Sequence, residues 1–270
     1  MATYKMTLDF KGKDSVPFTH EYEIPQEVYD LLQKIQKGKK ESDMMFNVSA
    51  GDVGNFMKKA CSSASPKLFR TAYGCRLLIE ELQAQKADGR LSKAKTPAQK
   101  LNLYDEACLA VTKKLNHQRN IAKNFDTQMG KLDENIQKAV AREEEVQKKA
   151  TEQLKKLQKK IKAAKAALSG EKLEATLLSY KEQKTKIEAR VTKAQERIEN
   201  LKIKKDFKGK TANYSISTAR TNYSSPKIAF SWCKDNEVPI EKIYSKSLLA
   251  KFDWAKDTPA SYWRNFPNVK

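Results

Sequence analysis

Apolar and polar residues alternate at the start of the chain, with Tyr4, Met6, Leu8 and Phe10 on one side of an extended backbone and Lys5, Thr7 and Asp9 on the other. That period of two predicts a half-buried strand. Gly12 permits a tight turn, and the segment from Pro17 to Tyr22 reads as a return strand, so the chain opens with a β-hairpin whose tip carries Lys13. The period then lengthens. Val28, Leu31, Leu32 and Ile35 recur at helical spacing between Pro25 and Gly38, and Val53, Phe56 and Met57 mark a second short helix over about residues 50–60. After Ser65-Pro66 an apolar helix runs through Leu77, Leu78, Ile79 and Leu82, residues 86–98 read as a loop around Gly89 and Pro97, and Leu101, Tyr104, Ala107, Cys108, Val111 and Leu115 define a further helix.

From Phe125 to about Lys205 aromatics almost vanish and Lys, Glu, Gln and Ala dominate. Apolar residues run along one side from Leu132 through Ile136, Ala139, Val146, Leu154, Leu157, Ile161 and Ala164 to Leu168. The pattern breaks at Ser169-Gly170 and resumes at Leu173, Leu177, Ile187, Val191, Ala194, Ile198 and Leu201. Glycine ends helices better than it continues them, so two helices folded into an antiparallel coiled coil are expected, each arm roughly 50–65 Å long. The clusters Lys155-Lys156, Lys159-Lys160 and Lys202-Lys204-Lys205 lie on this arm. Three domains are expected: a helical part with the hairpin over 1–121, the arm over 122–207, and a C-terminal domain over 208–270.

At 270 residues and 30.8 kDa, with 32% charged against 39% hydrophobic residues, much of the chain should be solvated helix around a modest core. Fifty-three Lys and Arg against 33 Asp and Glu give a net charge of +20, which suits a polyanion such as nucleic acid. No apolar run is long enough to cross a membrane and the first residues have no signal-peptide pattern, so an intracellular protein is expected. Cys61, Cys75, Cys108 and Cys233 are widely spaced, without a Cys-x-x-Cys pair, and only two histidines accompany them, which excludes a zinc framework and predicts reduced thiols in apolar positions.

The candidate chemistry centres on Thr218-Ala219-Arg220-Thr221-Asn222-Tyr223-Ser224-Ser225-Pro226-Lys227. A phenol, with an ordinary pKa of about 10, needs positive charge nearby to act as a nucleophile. Arg220 and Lys227 supply cations in sequence. Arg70, close to a helix start, is suited to gripping a phosphate through paired hydrogen bonds, and His117 stands at a helix end.

The segments downstream of Tyr223 are more specific: Trp232-Cys233-Lys234, then Val238-Pro239-Ile240-Glu241-Lys242-Ile243-Tyr244, then Lys251-Phe252-Asp253-Trp254-Ala255. Together with Asp9-Phe10-Lys11-Gly12-Lys13-Asp14-Ser15, Lys67-Leu68-Phe69-Arg70-Thr71 and Leu115-Asn116-His117-Gln118-Arg119, these segments resemble the eukaryotic-type type IB DNA topoisomerases, in the family's order. The family's Ser-Lys-x-Asn-Tyr reads Ala219-Arg220-Thr221-Asn222-Tyr223 here, which keeps the cation and loses a hydroxyl.

The resemblance implies a mainly α fold with a short N-terminal β-hairpin, the tyrosine recombinase/topoisomerase IB catalytic fold carrying an inserted antiparallel coiled coil. It implies Tyr223 as the nucleophile forming a 3′-phosphotyrosine, Lys13 as the general acid toward the leaving 5′ oxygen, and Arg70 and His117 on the scissile phosphate. Lys67, Asn222, Arg220 and Lys227 are the expected DNA contacts. The resemblance implies double-stranded DNA as the substrate and the nucleus as the location, and no cofactor is expected, in keeping with the lack of a Walker A loop or an acidic metal cluster in the sequence. The family's second arginine and its DNA-enclosing cap precede the hairpin, so an upstream topoisomerase chain is the expected partner. Tyrosine recombinases share the chemistry but place His-x-x-Arg where this chain has Lys67-Leu68-Phe69-Arg70. A non-enzymatic basic coiled-coil DNA-binding scaffold is the alternative from composition.

Overall fold

Residues Tyr4–Lys11 (β1) and Pro17–Ile24 (β2) form an antiparallel two-stranded hairpin, with Tyr4 opposite Ile24 and Phe10 opposite Phe18. The computed structural model describes residues 3–12, 15 and 17–266, so Lys13 lies outside the described residues. At the base of the hairpin Tyr4 packs on Tyr29, ring centroids 4.8 Å apart, of helix α1 (Gln26–Gln36). Leu8 and Phe10, expected on a half-buried face, are 37% and 52% exposed, because a ribbon of two strands buries little of either face by itself.

Helix α2 (Ala50–Ala60) starts at a capping box in which Ser49 and Asp52 satisfy each other's backbone N–H groups. Neither α1 nor α2 buries a residue. The core begins with α3 (Pro66–Ala87). Where a continuous loop is expected, Gly89 adopts a left-handed backbone and a short helix, α4 (Arg90–Lys93), follows, whose Leu91 joins the core. Propensity gives no sign of this one-turn helix, which forms because Leu91 packs inward.

Thr96 and Gln99 cap α5 (Pro97–Lys114). It packs on α3, where the buried Gln85 donates from Nε2 to the Leu103 carbonyl at 2.9 Å. Helices α6 (Phe125–Ala167) and α7 (Gly170–Lys210) follow, then α8 (Ile216–Asn222), α9 (Pro226–Asn236) and α10 (Lys246–Lys251), with 3₁₀ turns at Ile240–Lys242 and Asp253–Ala255. Leu78, Ile79, Leu82, Tyr104, Val111, Ile228, Trp232, Tyr244 and Trp263 form the interior of the first compact unit, residues 1–120 and 213–270.

The second unit, residues 121–212, consists of α6 and α7. The helices run antiparallel: Lys205 pairs with Asp133 and Lys208 with Gln128, while Gln195 donates to Glu143 at 3.3 Å. Leu132, Ala139, Ala150, Leu157 and Ala164, mostly seven residues apart, are the buried line of α6. Gly170 takes a left-handed φ of 58° directly after the reversal. Two clefts along the pair, of about 640 and 330 Å3, have apolar floors and cations on their walls, Arg142, Arg190, Lys193, Arg197 and Lys204 beside Glu196 in one, Lys156, Lys160, Lys186 and Arg190 in the other.

Among the cysteines the expectation of uniform packing is corrected at Cys61, which is exposed beyond the end of α2, where no core element covers it. Its thiol interacts with the Ser63 hydroxyl at 3.3 Å, which holds its pKa below the usual thiol value. Burial pushes the Cys75 and Cys108 thiols up, and Cys233 up to about 12. Native protein treated with a maleimide near pH 7 should therefore label rapidly at Cys61 alone, the other three reacting only on unfolding, as read by mass spectrometry. The linkage is also fixed in sign. Between pH 9 and 12 unfolded thiols have lost protons that the buried ones retain, so stability falls as pH rises through this window, measurable as a declining urea midpoint.

Candidate functional site

Helix α8 is two turns long, too short to persist by itself, so its position is set by what it packs against. Tyr223 closes it, donating its N–H to the Ala219 carbonyl at 3.2 Å, and the Ser224 hydroxyl reaches back to the Ala219 and Arg220 carbonyls at 3.0 and 3.2 Å. Pro226 then begins α9. The tyrosine is thereby held at a bend between two helices, half-buried.

His117 reaches the same place from the end of α5. Asn116, in the left-handed region with φ 52°, turns the chain out of the helix. The His117 N–H donates to the Thr112 carbonyl at 3.0 Å, and its carbonyl accepts the Ser215 N–H at 3.0 Å. A bridge between Gln118 and Tyr214, with the Arg119 N–H on the Asn213 carbonyl at 2.9 Å, ties this segment to the one leading into α8. The imidazole stacks on the Tyr223 ring with centroids 4.7 Å apart and planes 20° apart.

Cations come from α3. The Arg70 guanidinium carbon lies 4.9 Å from the centroid of the Tyr223 ring and its Nη2 donates to the Leu115 carbonyl at 2.8 Å, while Lys67 Nζ stands 5.8 Å from the same ring. Residues from distant stretches of the chain thus converge on one phenol: Lys67, Arg70, His117 and Tyr223. Two cations, one of them anchored at Leu115, and an imidazole beside a phenol can hold an oxyanion such as a phosphate against that phenol and stabilise charge that develops on it.

The other expected residues lie differently. Asn222 is exposed, its Nδ2 on the Thr221 hydroxyl at 3.2 Å and its carbonyl accepting from Thr71 at 3.4 Å. Lys227 sits over the Trp254 ring at 5.8 Å. Arg220, expected to face the ligand, turns inward and pairs with Asp105 of α5, its side chain only 16% exposed. A seven-residue helix has one face against the core, and position 220 falls on it. Among the described residues no group of three His, Cys, Asp or Glu side chains could hold a metal ion.

Several supports of the site are silent in the sequence. Ser225 donates its N–H to Cys75 Sγ at 3.1 Å, which fastens the bend to α3. Gly74 lies beneath it: a Cβ there would stand 2.2 Å from the Tyr223 carbonyl oxygen. Gly74→Val should force the bend away from α3, lowering stability by about 1–3 kcal/mol in urea titrations.

Comparison with known proteins bears on the whole chain. The family model for the eukaryotic DNA topoisomerase I catalytic core matches residues 1–150, and that for the C-terminal topoisomerase domain matches residues 195–264. The chain is similar to DNA topoisomerase 1 of Daucus carota, 30% identical with 93% of this chain and 33% of that protein covered. It is similar also to DNA topoisomerase 1 alpha of Arabidopsis thaliana, 31% identical over 96% of this chain and 26% of that protein, and to DNA topoisomerase 1 of Caenorhabditis elegans, 28% identical over 94% and 28%. It spans about a quarter to a third of the length of these relatives.

Proposed function

Because the chain belongs to the eukaryotic DNA topoisomerase I family, we propose that it carries the cleavage and rejoining centre of a type IB enzyme that relaxes supercoiled DNA. The observation that carries this reading is the stacking of Tyr223 on His117 under the Arg70 guanidinium, since these residues come from three separate family motifs.

In the reaction, the Tyr223 phenol gives up its proton to solvent water and its oxygen attacks the phosphorus in line. A P–O bond to tyrosine forms, the bond to the 5′ oxygen breaks, and that oxygen leaves as a hydroxyl after taking a proton from Lys13. Arg70 and His117 stabilise the charge on the non-bridging oxygens, and Lys67 adds to the field. Little covalent chemistry is left to the protein, so positioning and preorganised charge supply most of the acceleration. The phosphotyrosine conserves the energy of the broken bond. After the cut strand swivels, the 5′ hydroxyl returns its proton to Lys13 and attacks the phosphotyrosine, the P–O bond to tyrosine breaks, and Tyr223 leaves and is reprotonated to the phenol, which restores the backbone without ATP.

The three domains divide this work: residues 1–121 complete the catalytic fold, 122–207 form a coiled-coil linker whose cationic clefts lie along downstream DNA, and 208–270 present the nucleophile. An upstream region or partner chain supplies the second arginine and the clamp. The basic charge and DNA substrate suit the nucleus.

The deciding experiment incubates the chain at low salt with a labelled duplex whose strand ends just past the cut, alone and with an upstream topoisomerase I region, and runs a denaturing gel. A covalent adduct formed only with the upstream region establishes a centre completed from outside this chain. An adduct formed by the chain alone establishes cleavage without the second arginine. Absence of adduct in both arms, from folded protein that binds DNA in a salt-dependent way, overturns the enzymatic reading in favour of a basic scaffold.

A further inference from the structure

Asp105 and Arg220 are largely buried charges, on the two helices that carry His117 and Tyr223, that the mechanism does not use. Asp105 lies on α5, the helix whose end carries His117, and Arg220 lies on α8 one turn before Tyr223. Their side chains are 18% and 16% exposed and form an ion pair. The surroundings are apolar or aromatic: Tyr104, fully buried, packs on Trp232 with ring centroids 4.9 Å apart and planes tilted by 45°, and Ala219 and Tyr244 belong to the same interior. The Arg220 carbonyl is held as well, accepting from the Ser224 hydroxyl at 3.2 Å and from the Tyr244 hydroxyl at 3.5 Å.

Hydrophobic contact is non-directional and lets a two-turn helix slide or rotate by a fraction of a turn at small cost. A guanidinium–carboxylate contact is directional and short. From the ion pair, three residues lead along α8 to Tyr223, and α5 leads to the His117 imidazole on which that phenol stacks. We propose that the Asp105–Arg220 pair is a positioning device that sets the register of α8 on α5, and through it the aim of the Tyr223 phenol between His117 and Arg70. The consequence for catalysis rests on the reading of Tyr223 as the nucleophile; the consequence for the stack does not.

Removing one member of a buried pair leaves an uncompensated charge and risks unfolding, whereas replacing both by apolar groups of similar size is well tolerated. The test therefore uses Asp105→Leu/Arg220→Met beside Arg220→Lys, which keeps the charge but not the planar fork. Two quantities are read: the single-turnover rate of adduct formation in the presence of the upstream region, with DNA affinity measured in parallel, and the rate at which tetranitromethane nitrates Tyr223, with exposed Tyr22 as internal reference.

The double variant is expected to melt and bind DNA as the parent does, to cleave about 10- to 100-fold more slowly, a loss of the kind a small misplacement produces, and to nitrate several-fold faster at Tyr223. Arg220→Lys is expected to fall between. A folded double variant with parental nitration overturns the proposal. If the parent itself makes no adduct, the enzymatic reading fails, and nitration alone still decides whether the pair positions Tyr223. If nitration rises while the cleavage rate is unchanged, the pair does not position the phenol for chemistry, and the proposal is overturned.

Discussion

A Tyr223→Phe chain is expected to form no covalent adduct with DNA under any condition in which the parent does. The phenol oxygen is the atom that would bond to phosphorus, and phenylalanine lacks it, so the loss reaches the background of the gel rather than a fraction of the parental rate. The ring itself survives the substitution, and with it the stack on His117 at 4.7 Å and the Arg70 contact at 4.9 Å. Folding stability should therefore stay within about 1 kcal/mol of the parent, and DNA affinity and its salt slope should be unchanged. Adduct formation by the phenylalanine protein would show that some other side chain attacks.

Arg70→Ala carries the second-largest effect. The guanidinium is, among the described residues, the cation closest to the Tyr223 ring and is held there by the Leu115 carbonyl at 2.8 Å, so in the proposed reaction it would be aimed in advance. Loss of one preorganised donor to a developing oxyanion costs about 10²–10³ in rate, or about 2.7–4 kcal/mol. A fall of that size in single-turnover cleavage is expected, with the salt slope of DNA binding reduced by about one. Arg70→Lys should recover only part, because a single ammonium cannot hold Leu115 and a phosphate oxygen together in one plane. A change of less than about threefold in the alanine variant would remove Arg70 from the reaction.

The two tests depend on different kinds of sequence signal. Helix α2 is legible in the sequence because Val53, Phe56 and Met57 have helical spacing and Ser49 with Asp52 makes a start signal that the fold uses as a capping box. The hairpin is legible from its alternation of apolar and polar residues, and the reversal at Gly170 because glycine enters the left-handed region freely. Arg70, His117 and Tyr223 are legible as family motifs, but nothing local tells that their side chains meet. The inward turn of Arg220 is opaque because its partner, Asp105, is 115 residues away and no periodicity links a two-turn helix to a helix that distant. Exposure of Cys61 is opaque for the opposite reason, as apolar composition predicts burial only where another element arrives to provide it. Gly74 is visible as a letter without its meaning, which is the Tyr223 carbonyl beside it.

The strands of backbone that leave for and return from α6 and α7 are zipped together at Arg119–Asn213 and Gln118–Tyr214, immediately beside His117. Entry and exit at adjacent points make the helical hairpin a graft on a closed stem. Its length can drift by whole heptads over evolution, or be cut to a short turn by protein engineering, without altering the separation of the histidine from the tyrosine. The same stem lets a break in the covalent chain anywhere along the hairpin be survivable: one piece would keep the arginine and histidine, the other the tyrosine, and the stem with the shared core would bring them back into one centre.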